Sequence, residues 1–132
     1  EALSEELRAH AAALEHDHAV RFETVGVGAD VVVPEAVVAA AKEAMLNAAR
    51  HAGGEVTVYA EVAPGRVSID VTDRGPGLDV DALPEGRMGV RESILGRMAR
   101  AGGTARIVPG PGGRGTSVRL SMPRMEEGPA GD

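Results

Sequence analysis

The chain has 132 residues, 43% of them hydrophobic, a formal net charge of −6 and no cysteine. This length suits one compact domain that buries roughly two thirds of its unfolded surface, and the missing cysteines exclude disulfides, thiolate metal sites and cysteine nucleophiles while fitting a cytoplasmic location. The acidic balance, with Phe22 and Tyr59 as the only aromatics, excludes a phosphate-tracking basic surface and a base-stacking platform, so no nucleic-acid partner is expected; a phosphate-bearing small molecule remains compatible, because a pocket can be locally positive on an acidic protein.

Leu3, Leu7, Ala11 and Leu14 recur at helical spacing from the first residues, which is the pattern expected of a fragment cut from a longer protein. A strand is predicted over Val20 to Val27. Pro34 then suits the first turn of a long helix running to about Ala52, with Gly53-Gly54 stopping it as a left-handed cap. Val56, Val58, Ala60 and Val62 alternate with polar residues, as do Val67, Ile69 and Val71, and Pro64-Gly65 between them matches the central pair of a type II turn. This predicts a hairpin ending at Asp73. A loop through Pro84 and Gly89 precedes a helix from Val90 to Ala101, capped by Gly102-Gly103. Thr104 to Val108 and Thr116 to Met122 form a second predicted hairpin around a glycine-dense connection. The order implies an α/β (α+β) chain with helices covering one face of a mostly antiparallel sheet, residues 1–123 forming the domain and 124–132 a disordered tail.

Two places carry polar residues suited to chemistry. On the helix from Pro34 to Ala52, Glu43, Asn47 and Arg50 share one stripe, with His51 at its edge, while Val38, Ala41, Met45, Ala48 and Ala52 supply a packing face. The Asn47 carboxamide oxygen suits Mg²⁺, Glu43 could position a metal-bound water or act as a base, and Arg50 and His51 could meet phosphate oxygens. On spacing alone, a solvated helix face is the plainer reading of this stripe. The second place is Asp73-Arg74-Gly75-Pro76-Gly77, where a strand-end carboxylate, an acceptor only, would pair with the exocyclic amine of adenine and reject guanine, and the glycines permit close backbone approach. An Asx-turn closing the bend is the alternative.

Neither common phosphate loop is present. Gly110 to Gly115 has the glycine gap of a Walker loop, but Thr116 stands where its lysine belongs and a strand follows instead of a helix. Gly75 and Gly77 lack the third glycine of a dinucleotide fingerprint, since position 80 is valine. Phosphates would sit better on the loop Gly86-Arg87-Met88-Gly89 leading into a helix from Val90, whose free N–H groups favour anions, with Arg87 and Arg91 adding charge; solvated loop cations are the plainer reading of those arginines.

Taken in order, Glu43-Ala44-Met45-Leu46-Asn47-Ala48-Ala49-Arg50-His51-Ala52, Asp73-Arg74-Gly75-Pro76-Gly77, Met88-Gly89-Val90-Arg91-Glu92-Ser93-Ile94 and Gly113-Arg114-Gly115-Thr116 resemble the asparagine, D-x-G-x-G, glycine and final boxes of sensor histidine kinase ATPase domains. The superfamily also holds gyrase, MutL and heat-shock chaperone ATPases, and the wording is most similar to the subgroup with NarL-like response regulators. The resemblance implies a Bergerat ATP-binding fold: a two-layer sandwich of a mixed, mostly antiparallel sheet with about three helices on one face. It further implies that Asn47 holds Mg²⁺, that Asp73 binds the adenine of ATP with Gly75 and Gly77 beside it, and that Thr116 assists Asp73 through water. Arg87, Gly89 and Val90 fall on the phosphate side. Glu43 corresponds to the base of the water-using relatives, a role that the phosphotransferases need not share. Gly86-Arg87-Met88-Gly89, which the resemblance places in the family's ATP lid, lacks the closely spaced glycines of many relatives, and this leaves the phosphate contacts less defined.

On this resemblance the expected partners are ATP, an upstream helical domain that dimerises and carries the phosphoacceptor histidine, and a response regulator. A homodimer is expected only of the full-length parent, which could be membrane-anchored. His10, His16 and His18 are expected as solvated connector residues and not as phosphoacceptors. Two other readings share the motifs: an anti-sigma-factor serine kinase of the same superfamily, and a non-catalytic nucleotide-sensing module.

Overall fold

The computed structural model describes residues 3–17, 22–25, 33–52, 56–63, 65–73, 85–110 and 115–123. Their elements, in chain order, are α1 (Leu3–Asp17), β1 (Phe22–Val25), α2 (Glu35–Ala52), β2 (Val56–Ala63), β3 (Arg66–Asp73), α3 (Glu85–Arg100), β4 (Thr104–Pro109) and β5 (Thr116–Pro123). The strands form one five-stranded sheet in the order β1-β2-β3-β5-β4. Only β1 and β2 are parallel, and α2 is the crossover that a parallel neighbour requires. The other pairings are antiparallel.

Alternation decides which face is covered. Val56, Val58 and Ala60 of β2, Val67, Ile69 and Val71 of β3, and Val118 and Leu120 of β5 are buried, and the register aligns them in rows across the sheet. Helix α2 packs on β2, β3 and β5, while α1 packs on α2 and β1 and α3 on α2 and β4. The result is the expected two-layer α+β sandwich with three helices on one face. The opposite face is polar, and its one large exposed hydrophobic among the described residues is Tyr59. On that face burial pushes the Asp70 carboxyl above its ordinary range, opposed by nearby Arg119 and reinforced by Glu61.

Some boundaries differ from the sequence-based expectations. Helix α2 starts at Glu35, with the Pro34 carbonyl accepting from Val37 N at 3.0 Å and Val38 N at 3.4 Å, so Pro34 stands just before the first turn. Helix α3 starts at Glu85, five residues before the expected Val90. The segment Gly86-Arg87-Met88-Gly89 is therefore helical and not a loop; glycine lowers helix propensity by about 1 kcal/mol each without forbidding the helix when packing further along supports it. Strand β4 includes Pro109, which is tolerated because β4 is a sheet edge. The predicted strand ends at 20–21 and 26–27, the cap Gly53-Gly54, Pro64 and the tail 124–132 lie outside the described residues.

Two turns match their glycines. Gly65 has φ +79°, as the second central residue of a type II turn needs. At the end of α3, Gly102 has φ +84°, Gly102 N donates to Ala99 O at 3.1 Å and Gly103 N to Met98 O at 2.7 Å, the bond pair of a Schellman motif. Gly103 is also where the cap meets the sheet: a Cβ there would lie 2.6 Å from Ser121 O and 3.0 Å from Met98 Cε.

The histidine expectation needs correction for α1. His10 lies inside the helix, partly buried, and its Nε2 donates to Lys42 O at 3.2 Å; beside it Lys42 Nζ bonds Glu6 Oε1 at 2.9 Å. Helical periodicity turns His10 towards α2 alongside Leu7, Ala11 and Leu14, which are buried. His16 also falls within α1, and His18 is outside the described residues. Loss of solvent lowers the His10 pKa below its ordinary 6.5, against the backbone hydrogen bond, with Lys42 adding to the fall.

Two outcomes are expected. Gly103→Ala should destabilise the fold by about 1–3 kcal/mol in urea denaturation, because a backbone carbonyl must move to admit the methyl group. For His10, the depressed folded pKa means that the unfolded chain takes up the proton first as pH falls below 6.5. Stability should thus be fully present above that pH and decline below it, and His10→Gln, which keeps a donor for Lys42 O, should flatten this part of the pH–stability curve relative to wild type.

Candidate functional site

Asp73 and Thr116 are brought together by strand pairing. They are register partners at the adjoining ends of β3 and β5, with Asp73 6% and Thr116 3% exposed. Both are on the face that packs against the helices, Asp73 following Val67, Ile69 and Val71 in the alternation. The Thr116 hydroxyl is buried with no hydrogen-bond partner among the described residues. A buried unsatisfied hydroxyl costs about 1–3 kcal/mol, so the position is suited to a water or ligand atom that completes it. The neighbouring rung, by contrast, is satisfied: Thr72 Oγ1 and Ser117 Oγ are 3.1 Å apart on the opposite face.

Helix α2 supplies the other polar residues. Val38, Ala41, Met45 and Ala48 are buried as expected, joined by Val37, Ala40, Ala44 and Ala49. Glu43 and Asn47 are half-buried and Arg50 is exposed. Asn47 is thus partly accessible on the helix that packs on β3, the strand that ends in Asp73. It offers one neutral oxygen donor, which fits a cation held mainly by phosphates and water.

Glu43 is engaged by α3. Ser93 Oγ donates to Glu43 Oε1 at 2.8 Å, Arg97 Nε approaches the same oxygen at 3.3 Å, and Arg97 Nε is 3.3 Å from Ser93 Oγ. Both contacts are hydrogen bonds to a charged oxygen, and the Ser93 one is the shorter. Sequence reading did not single out Ser93 and Arg97 as partners of Glu43; their i, i+4 spacing on α3 was the available signal.

For the remaining expected site residues the picture is uneven. Gly75 and Gly77 lie outside the described residues, as does Arg74. His51 is on the last turn of α2, and Arg87, Gly89 and Val90 are on the first turns of α3, but their side chains are outside the described set. The early start of α3 corrects the expected anion platform. The four unpaired N–H groups of a helix belong to its first residues, here Glu85 to Met88, so Val90 is not at the free end.

The architecture and these motifs can be set beside known proteins. The sequence profile described as "Histidine kinase-, DNA gyrase B-, and HSP90-like ATPase" matches residues 32–126. No curated protein matches the chain significantly in sequence. Among solved structures the chain is similar to the mycobacterial sensor histidine kinase MprB, at 20% identity over 93% of this chain and 95% of that one, with a TM-score of 0.74. It is similar to the ATP binding domain of PrrB from Mycobacterium tuberculosis, at 21% identity over 96% of each chain and a TM-score of 0.74. A blue-light activated histidine kinase from Erythrobacter litoralis is 25% identical over 92% of this chain but only 42% of its own, with a TM-score of 0.72. These structures share the fold, and with the profile spanning most of the sequence, the chain belongs to the histidine kinase-, DNA gyrase B- and HSP90-like ATPase family.

Proposed function

We propose that this chain is the ATP-binding catalytic domain of a two-component sensor histidine kinase, which binds Mg·ATP and donates its γ-phosphoryl group to a histidine on a separate dimerisation domain. The observation that carries this reading is the buried Asp73–Thr116 pair at the strand ends, an acceptor beside a hydroxyl that lacks a partner among the described residues. Such a pair suits a base edge that presents an amine to the carboxylate and leaves room for a water on the hydroxyl. Adenine has that edge, and guanine presents an acceptor there instead.

In this reading each residue has a defined task. Asp73 accepts the adenine amine, and Thr116 supports it through water. Gly75 and Gly77 line the base and ribose side. Asn47 would hold Mg²⁺ through its carboxamide oxygen. Arg50, His51 and Arg87 supply positive charge towards the phosphates, with Gly89 and Val90 on the same side. Bound Mg²⁺ would neutralise phosphate charge during transfer. The chain's own contribution is positioning and electrostatic complementarity. The phosphoacceptor domain would precede this one in a homodimeric parent, a response regulator would take the phosphoryl group onward, and the domain would work in the cytoplasm; among the described residues no helix is long and apolar enough to cross a membrane.

Calorimetry with Mg·ADP on this chain should show binding, which Asp73→Asn weakens by at least about tenfold, because the substitution removes the charge from the acceptor and places an amide donor where the adenine amine must be received. No adenine nucleotide binding by the wild-type chain would refute the reading. Thr116→Val, which removes the buried hydroxyl at nearly constant volume, should leave the stability of the nucleotide-free protein unchanged or raise it by about 1 kcal/mol while weakening Mg·ADP binding; tighter binding would count against a water on Thr116.

A further inference from the structure

Glu43 stands one helical turn before Asn47 on α2, in the position from which a base would act, yet its Oε1 already accepts from Ser93 and faces the Arg97 guanidinium. That oxygen is held by two donors from α3, and each of the three groups is within hydrogen-bonding reach of the other two. Beyond this point α3 is fixed: Ile94 and Met98 are buried in the core, and the helix end is tied down by the Met98 and Ala99 carbonyls. On the other side, the turns from Glu85 to Val90 include Gly86 and Gly89, which hold helical geometry weakly. Ser93 is therefore close to where the well-anchored part of α3 meets its less constrained first turns.

We propose that Glu43 is a positioning residue, a carboxylate that pins α3 to α2 through Ser93 and Arg97 and so holds the first turns of α3 in place relative to Asn47. The inference rests on the ATP-domain reading above, in which those turns form the phosphate side. Arg97 has a second effect here. An unpaired carboxylate one turn from Asn47 would repel a polyphosphate, and the guanidinium offsets that charge.

Glutamine separates this role from that of a base or metal ligand, because it keeps a carbonyl oxygen for Ser93 and Arg97 but cannot take a proton at neutral pH. Calorimetric titrations of the whole chain with Mg·ATP and with AMP, folding being checked by circular dichroism, test it. Glu43→Ala and the double variant Ser93→Ala/Arg97→Met should each weaken Mg·ATP binding by about tenfold while changing AMP binding by less than about threefold, and Glu43→Gln should stay within about threefold of wild type for both. A merely structural role would weaken both nucleotides together. Overturning results are Mg·ATP affinity unchanged in Glu43→Ala and in the double variant, equal loss for AMP, or Glu43→Gln as weak as Glu43→Ala. Wild type binding neither nucleotide would strike the ATP-domain reading itself and this inference with it, whereas wild type binding with indifferent variants strikes the clamp alone.

Discussion

Everything in this fold depends on how closely α2 is approached. The sheet packs beneath it, α1 on one flank and α3 on the other, and a helix crowded from three directions must present small side chains where it is touched. Ala40, Ala41, Ala44, Ala48 and Ala49 do this, all nearly inaccessible to solvent, with Val37, Val38 and Met45 filling the wider gaps. Alanine also has the highest helix propensity, so the residues that permit close packing are those that favour the helix. Little of the surface of α2 remains for polar groups, and two of them bind its neighbouring helices. Lys42 ties α1 through Glu6 and its own carbonyl, Glu43 ties α3, and Asn47 is left half-buried for the proposed metal site.

The strand ends obey a different constraint. Antiparallel register sets Asp73 opposite Thr116, and a period of two puts Asp73 on the same face as Val71 and Ile69. A one-residue slip would send both polar groups to the solvent face and the valines with them, so hydrophobic burial enforces the pairing of the candidate site. Here a buried hydroxyl has no partner among the described residues, at the place where the proposed function supplies one.

Much of this was legible in the chain itself. Alternation over Val56 to Val71 and the Pro64-Gly65 pair predicted the first hairpin, and Gly102-Gly103 the end of α3, because turn and cap conformations depend on single residues and their immediate neighbours. The spacing of Val38, Ala41, Met45 and Ala48 gave the buried side of α2, although periodicity alone understated its width, since nothing local reports that two further helices flank it. The order of the asparagine and D-x-G-x-G segments carried the family resemblance that the profile match supports.

Propensity and period thus define, from the chain alone, which elements form and most of their buried faces. Tertiary structure alone decided which polar residues meet. It extended α3 back to Glu85 through two glycines that read locally as a loop, as helix formation there draws on packing farther along the chain. It turned His10 from a connector residue into a link to α2, and it gave Glu43 to Ser93 and Arg97, fifty and more residues away. Hydrogen bonds are short-ranged and directional, so partners so distant in sequence become defined only when the packed layers bring their helices side by side.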